Sequence, residues 1–310
     1  MLAAIRRFFD ERGVLEVETP ILSHAGVTDP NLISFRTGLH RPGRANDTAP
    51  LYLQTSPEFA MKRLLAAGSG SIYQICKAFR DEEQGRRHNP EFTLLEWYRV
   101  GFGLDDLIAE TDALARGLFA ERRPLGPPEI FGYRELFKER LGVDPLDVDF
   151  ESLDRCARSL GLPEAAELCG HDRPTWLDLL FAHSIQPQLG LDKLSFVVDF
   201  PAILPSLARN KPGSPELVER VEIYLEGIEL ANGFHELQDA VEQDWRFERD
   251  LQERRERGMF LPTKDSRLIA ALETGLPDCS GIALGLDRLL MMLTGAQSLA
   301  DVLPFPIDRA

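Results

Sequence analysis

The sequence predicts an α+β fold, a mostly antiparallel sheet flanked by helices, and three observations carry that prediction. Short β-rich runs at residues 51–54, 72–75, 92–100 and 194–200 are joined by hairpin-like or irregular connections, with few of the strand-helix-strand alternations that build a parallel sheet. Glu226-Gly227 separates two further strand-like runs, 218–225 and 228–234, as a hairpin turn would. Helical apolar spacing fills the remaining segments.

Taken in order, residues 2–9 repeat apolar side chains at helical spacing, Gly13 is placed to stop that helix, and a β-rich run at 14–17 leads to Pro20. A helical segment at 57–67 lies between the strands at 51–54 and 72–75, and a polar loop precedes the strand at 92–100. A helix is expected over 104–119, then a Pro-rich charged connector, ERRPLGPPE, over 121–129. Residues 130–190 read as mostly helical, so 104–190 is expected to be a helical insertion in a single domain spanning 1–310. After the hairpin come a long charged helix over 238–258 and a strand followed by a helix over 281–293.

Composition bounds the function classes. The chain has 310 residues, 44% hydrophobic and 27% charged, near the averages of globular proteins, which favours neither a disordered nor a fibrous class. Its 35 Lys and Arg against 50 Asp and Glu give a net charge of -15, which disfavours extended nucleic-acid binding. Cys76, Cys156, Cys169 and Cys279 form no CxxC pair, and Cys169 with His171 lacks the partners of a metal site, so reduced thiols in the cytoplasm are expected. No stretch approaches the ~20 apolar residues that span a bilayer, and the N-terminus lacks the pattern of a secretory signal, so no membrane partner is expected.

Three segments carry chemistry. In 79–98, Arg80 and Glu82 would share a face if the strand ran through them, and Glu96 and Tyr98 would do likewise. An Arg fork suits a phosphate or carboxylate, and Phe92 can stack on a purine, although charge density alone also fits a salt-bridged surface hairpin. In 226–239, Glu229 and Glu236 flank Gly233, and a kink there would let two carboxylates converge on a Mg²⁺ bridging ATP phosphates; a solvated acidic hairpin is the plainer alternative. In 280–288, small residues precede a helix opening with Asp287 and Arg288, so backbone could approach a ligand closely.

In order and spacing these segments resemble the signature motifs of class II aminoacyl-tRNA synthetases. Residues 5–22 resemble the first motif, which in that family builds a homodimer interface; Phe79-Arg80-Asp81-Glu82 through Glu96 resemble the second and Gly285-Leu286-Asp287-Arg288 the third. Thr55-Ser56-Pro57-Glu58-Phe59, His88-Asn89-Pro90-Glu91-Phe92, Leu95-Glu96-Trp97-Tyr98 and the closing Asp301-Val302-Leu303-Pro304-Phe305-Pro306 resemble the lysine branch. Two features depart from lysyl-tRNA synthetases: no N-terminal anticodon-reading OB domain is expected, and Ala283 stands where they carry Gly. Both are similar to the truncated paralogues that ligate (R)-β-lysine to elongation factor P.

The resemblance implies adenylation of (R)-β-lysine by ATP and its transfer to a lysine ε-amine of elongation factor P, with tRNA not expected as acceptor. By the same resemblance Arg80 and Arg288 would be catalytic, on the α-phosphate and the outer phosphates. Asp81, Glu82, His88, Asn89, Phe92, Leu230 and Gly285 would bind ATP, and Glu229 and Glu236 would hold Mg²⁺. Ser56, Pro57, Glu58, Glu96, Tyr98, Asn232, Glu236 and Ala283 would bind the amino acid. The Ala283 methyl would shift amino-acid preference by roughly 1–3 kcal/mol. Two alternatives remain open at this level: the same core with tRNA or another amine as acceptor, and a non-catalytic paralogue that acts as a regulatory binding module.

Overall fold

The computed structural model of the protein describes residues 1–40, 48–204 and 207–310. The chain divides into two compact units, residues 1–102 with 236–310, and residues 103–235. Among the described residues, no helix is long and apolar enough to cross a membrane.

The first unit is built on four strands in the order Leu15–Glu16, Ile72–Phe79, Glu91–Val100 and Cys279–Gly285, with the first pair parallel and the others antiparallel. The expected opening helix forms over Leu2–Asp10 and buries Ile5 and Phe9, one turn apart. Phe9 stacks on Tyr73 at 4.5 Å and tilts against Trp97 at 5.4 Å, fixing the helix to the sheet. Gly13, at φ 64°, takes the left-handed conformation that ends the segment. A smaller antiparallel sheet of Leu22–Ser23, Thr48–Leu53 and Arg36–His40 accompanies it. Helices Glu58–Ala66, Ala240–Glu256, Ser266–Thr274 and Leu286–Thr294 complete the unit.

The second unit orders its strands Ile228–His235, Ser214–Leu225, Ser195–Pro201 and Glu129–Gly132. The expected hairpin forms: Glu226 and Gly227 both take positive φ, 51° and 69°, as a two-residue turn matched to strand twist requires. At Gly227 a side chain has no room, because a Cβ would lie 2.9 Å from the Pro187 Cα. The core is aromatic, with Tyr133 packed on Phe137, Phe181 and Phe200.

The stretch from 121 onward differs from the expectation. Its Pro-rich part ends in a strand, Glu129–Gly132, that pairs parallel with Ser195–Pro201. Four residues following Pro127-Pro128 carry no readable period, and only the pairing partner makes them a strand. Helices Leu104–Phe119, Tyr133–Leu141, Phe150–Ser159, Ala165–Cys169 and Arg173–Leu180 follow the expected helical pattern.

Candidate active site

In the first unit, Glu96 and Tyr98 lie two residues apart on strand Glu91–Val100, and the alternation puts both side chains on one face, as the sequence suggests. Tyr98 donates its hydroxyl to Glu96 Oε1 at 2.7 Å, and Ser56 donates to Glu96 Oε2 at 2.7 Å. The carboxyl is 2% exposed, and burial, reinforced by the charge of Glu58, pushes its pKa up to about 8. Both of its donors are neutral hydroxyls, and among the described residues no cation is bonded to this buried carboxyl. Ala283 lies directly opposite Glu96 on the neighbouring strand, so its methyl belongs to this face.

Pro57 caps helix Glu58–Ala66, and Ser56 Oγ accepts the Glu58 N–H at 3.0 Å, which fixes where that helix starts. One turn on, Lys62 places its ammonium 2.6 Å from Glu58 Oε1 and 2.6 Å from Glu236 Oε2, and the lysine is 1% exposed. Burial would lower the Lys62 pKa, but Glu236 and Glu58 outweigh it and hold it raised. Burial pushes Glu236 the other way, upward, against the pull of Lys62. Lys62 had no place in the sequence reading, although its i,i+4 spacing from Glu58 on a predicted helix was the available signal. Only glycine fits at 281, since a Cβ there would meet the Tyr98 ring at 2.3 Å and Glu236 Oε1 at 2.7 Å.

Arg80 and Glu82 do not share a strand face, contrary to the expectation. Strand Ile72–Phe79 ends before them, and Glu82 turns through φ 65°, so period-2 alternation does not reach this pair. The turn is held by Asp81, whose N–H donates to the Ile33 carbonyl at 2.8 Å and whose Oδ1 accepts the Glu82 N–H at 2.9 Å. Arg80 is half-buried, donates to the Thr55 carbonyl at 3.4 Å and lies 5.0 Å from the Phe92 ring centre, so the expected phosphate ligand and purine platform adjoin. Asn89 is locked between the Glu91 carbonyl, 2.6 Å, and the Ile307 N–H, 3.0 Å, which ties this loop to the chain's last residues.

Gly285 caps helix Leu286–Thr294, and Asp287 anchors it by accepting the Thr93 N–H at 2.7 Å. Arg288, on the same first turn, reaches His88 Nε2 at 2.7 Å and the Arg87 carbonyl at 3.3 Å. Burial, then the Arg288 charge, lowers the His88 pKa, so the ring is neutral at pH 7 and accepts from the guanidinium.

In the second unit, Arg220 donates to Asn232 Oδ1 at 3.2 Å and to Glu222 Oε1 at 2.5 Å, and Tyr224 donates to Glu222 Oε2. Arg220, Glu222 and Tyr224 alternate along strand Ser214–Leu225, while Asn232 and Glu229 sit opposite Glu222 and Tyr224 on its partner strand. Leu230, beside Glu229, is buried. Burial raises the Glu222 pKa; Arg220 opposes that shift and Glu229 adds to it, so the two carboxylates share one electrostatic environment. The sequence reading missed this cluster, though R-x-E-x-Y on a predicted strand is a period-2 signal.

The kink expected at Gly233 does not form. Gly233 pairs in register with Val221, and the irregularity lies further along, between Ile223 and Tyr224, opposite Ala231 and Glu229. Glu236 pairs with Lys62 in the first unit, and the carboxylate acting on Glu222 is Glu229. Among the described residues no group of three His, Cys, Asp or Glu could hold a metal by itself, but Mg²⁺ that bridges phosphates needs only one or two carboxylates. Glu229 and Glu236, the residues expected to hold that ion, carry hard oxygens of the kind it takes.

Comparison with known proteins decides the lineage, because the family described as tRNA synthetases class II (D, K and N) matches residues 1–309. The chain belongs to this family. Among its curated relatives are elongation factor P (R)-β-lysine ligases. That of Klebsiella pneumoniae (strain 342) is 48% identical over 310 residues, which cover 100% of this chain and 94% of the relative. That of Vibrio cholerae serotype O1 is 51% identical with the same coverage. The fold expected from the resemblance, a class II synthetase core with a mostly antiparallel sheet and flanking helices, is the family's.

Proposed function

We propose that this protein is an ATP-dependent ligase that adenylates (R)-β-lysine and transfers the β-lysyl group to a lysine ε-amine of elongation factor P. The observation that carries the reading is Glu96: a buried carboxyl, held by two hydroxyls and pushed up to about 8, gains most by receiving an ammonium ion. A diamino acid brings such an ammonium at the end of its chain. The names of relatives 48% and 51% identical over the whole chain support the same substrate and acceptor.

In this reading Glu96 and Tyr98 take the distal ammonium, and Ser56, Pro57 and Glu58 form the edge that meets the other amine. Asn232 and Glu236 take part in amino-acid binding, and Ala283, opposite Glu96, limits the space for the substrate backbone. The amino-acid carboxylate attacks the α-phosphorus of ATP, the bond to the bridging oxygen breaks, and pyrophosphate leaves. Negative charge grows on the phosphates in that step, and Arg80 and Arg288 are the fixed cations that stabilise it. Phe92 supplies a face for adenine, while Asp81, Glu82, His88 and Asn89 shape the loop that carries Arg80. Leu230 offers backbone beside Glu229, and Gly285 leaves room for the nucleotide. Glu229 and Glu236 would hold Mg²⁺, which when bound would neutralise phosphate charge.

In the second step the acceptor ε-amine, deprotonated, attacks the acyl carbonyl; AMP leaves and an amide forms. Alignment does most of this work, since both reactants are already activated. Exposed Leu2, Leu15, Ile21 and Leu22 near the first motif support a homodimer through that face. Four free cysteines fit an enzyme of the cytoplasm.

The test is ATP-pyrophosphate exchange with α-lysine and with each β-lysine enantiomer, followed by mass analysis of co-incubated elongation factor P. Exchange strongest with (R)-β-lysine and a gain of one β-lysyl group are expected. Efficient charging of tRNA(Lys) with elongation factor P left unmodified would overturn the proposal.

A further inference from the structure

Lys62 is one of the largest fully buried side chains of the molecule, and it is a cation. It lies between two carboxylates that arrive from different elements. Glu58 stands one turn before it on helix Glu58–Ala66, and Glu236 follows a strand, where its N–H is tied to the Cys279 carbonyl at 3.0 Å. Its ammonium sits 2.6 Å from an oxygen of each. Without that charge, two carboxylates would face each other in a buried space, and one would have to turn away or take up a proton. The Glu236 carboxylate packs close to Gly281, where a Cβ would lie 2.7 Å from its Oε1.

We propose that Lys62 is a positioning residue of the amino-acid site, a built-in ammonium that holds the Glu58 and Glu236 carboxylates facing the incoming substrate and leaves Glu96 as the carboxylate free to receive the substrate's own ammonium. The role rests on the amino-acid site described above and deepens it. A lysine suits the task better than an arginine would, since its compact charge with three rotatable donors can serve two carboxylates that approach from different directions. Lys62 touches no reacting atom in this scheme. Its effect passes through Glu58 and Glu236, so it belongs to amino-acid binding and not to the nucleotide.

The experiment uses the full chain with Lys62→Met and Lys62→Ala, measuring pyrophosphate exchange while (R)-β-lysine and ATP are varied separately. The amino-acid KM is expected to rise more than tenfold and the ATP KM to stay within twofold. Added methylammonium is expected to restore the amino-acid KM of Lys62→Ala in a saturable way without helping the unmutated protein. An unchanged amino-acid KM, or equal rises in both KM values with no rescue, would overturn the role and leave a structural ion pair. Should neither variant fold, the ¹⁵N resonance of the buried ammonium in the unmutated protein decides: it should shift on titration with (R)-β-lysine and not with ATP, and a silent resonance rejects the role. Exchange by the unmutated protein tests the site itself, so loss of that reading is seen separately from loss of the Lys62 role.

Discussion

The two units each bury carboxylates around one cation, and they use different cations for different work. In the first unit Lys62 bridges Glu58 and Glu236, and Glu96 accepts from the Ser56 and Tyr98 hydroxyls. In the second, the planar fork of Arg220 serves Glu222 and the amide of Asn232, so it orders directional groups on adjacent strands. A compact ammonium can satisfy carboxylates that approach from different directions, whereas a planar fork fixes groups that lie side by side on neighbouring strands. Under the proposed function, that difference goes with an ammonium substrate at the first cluster and with Mg²⁺ near the second.

The strongest challenge to this division comes from a residue that serves the chemistry itself. Arg80→Ala is expected to reduce amino-acid-dependent pyrophosphate exchange by about 10²–10³-fold, the usual loss of a fixed group that stabilises transition-state charge. Retained exchange would remove Arg80 from the α-phosphate and leave the phosphates to other cations.

A paired substitution sharpens the comparison directly. Glu96→Gln should raise the amino-acid KM by about 10–100-fold, the worth of one hydrogen bond to a charged group, with ATP dependence unchanged. Glu229→Gln should instead raise the Mg²⁺ concentration needed for half-maximal exchange and leave the amino-acid KM in place. Swapped outcomes in steady-state kinetics would reverse the assignment of the two clusters.

The pH dependence separates binding from stability, because the two have opposite signs. Below about 8, free Glu96 carries a proton that an incoming ammonium must displace, so amino-acid affinity should rise about tenfold per pH unit towards 8 and then level off. For folding, the unfolded carboxyl titrates near its ordinary value of about 4.3, so between there and 8 the folded state binds more protons. The contribution of Glu96 to stability therefore falls as pH rises across that window. Both trends should flatten in Glu96→Gln, measured as KM and as thermal midpoint.

The smallest effect is expected at Ala283, which is half-buried and opposite Glu96. Ala283→Gly should relax discrimination against α-lysine by a few-fold, the low end of the roughly 1–3 kcal/mol that one methyl can supply. Unchanged selectivity in competitive exchange would move the specificity element elsewhere.

Much of this was legible along the chain because secondary structure is written in local periods. The helix over Leu104–Phe119, the Glu226-Gly227 turn and the shared face of Glu96 and Tyr98 all follow from spacing alone. The strand Glu129–Gly132 was not legible, since its pairing with Ser195–Pro201 supplies what four residues lack. The turn at Glu82 was missed for a related reason: the alternating pattern gives no sign that the strand stops at Phe79.

The order of elements, the arginines and carboxylates of the motifs and their family were thus determined by the sequence, because each depends on neighbours a few residues away or on a string of residues read whole. Which carboxylate meets which cation was decided only by the tertiary structure. Lys62 finds Glu236 from the far end of the chain, Gly281 must stay small for the Tyr98 ring, and Glu96 is pushed up to about 8 only once water is excluded around it. Charge state depends on burial and on partners brought together through space, and no local period records either.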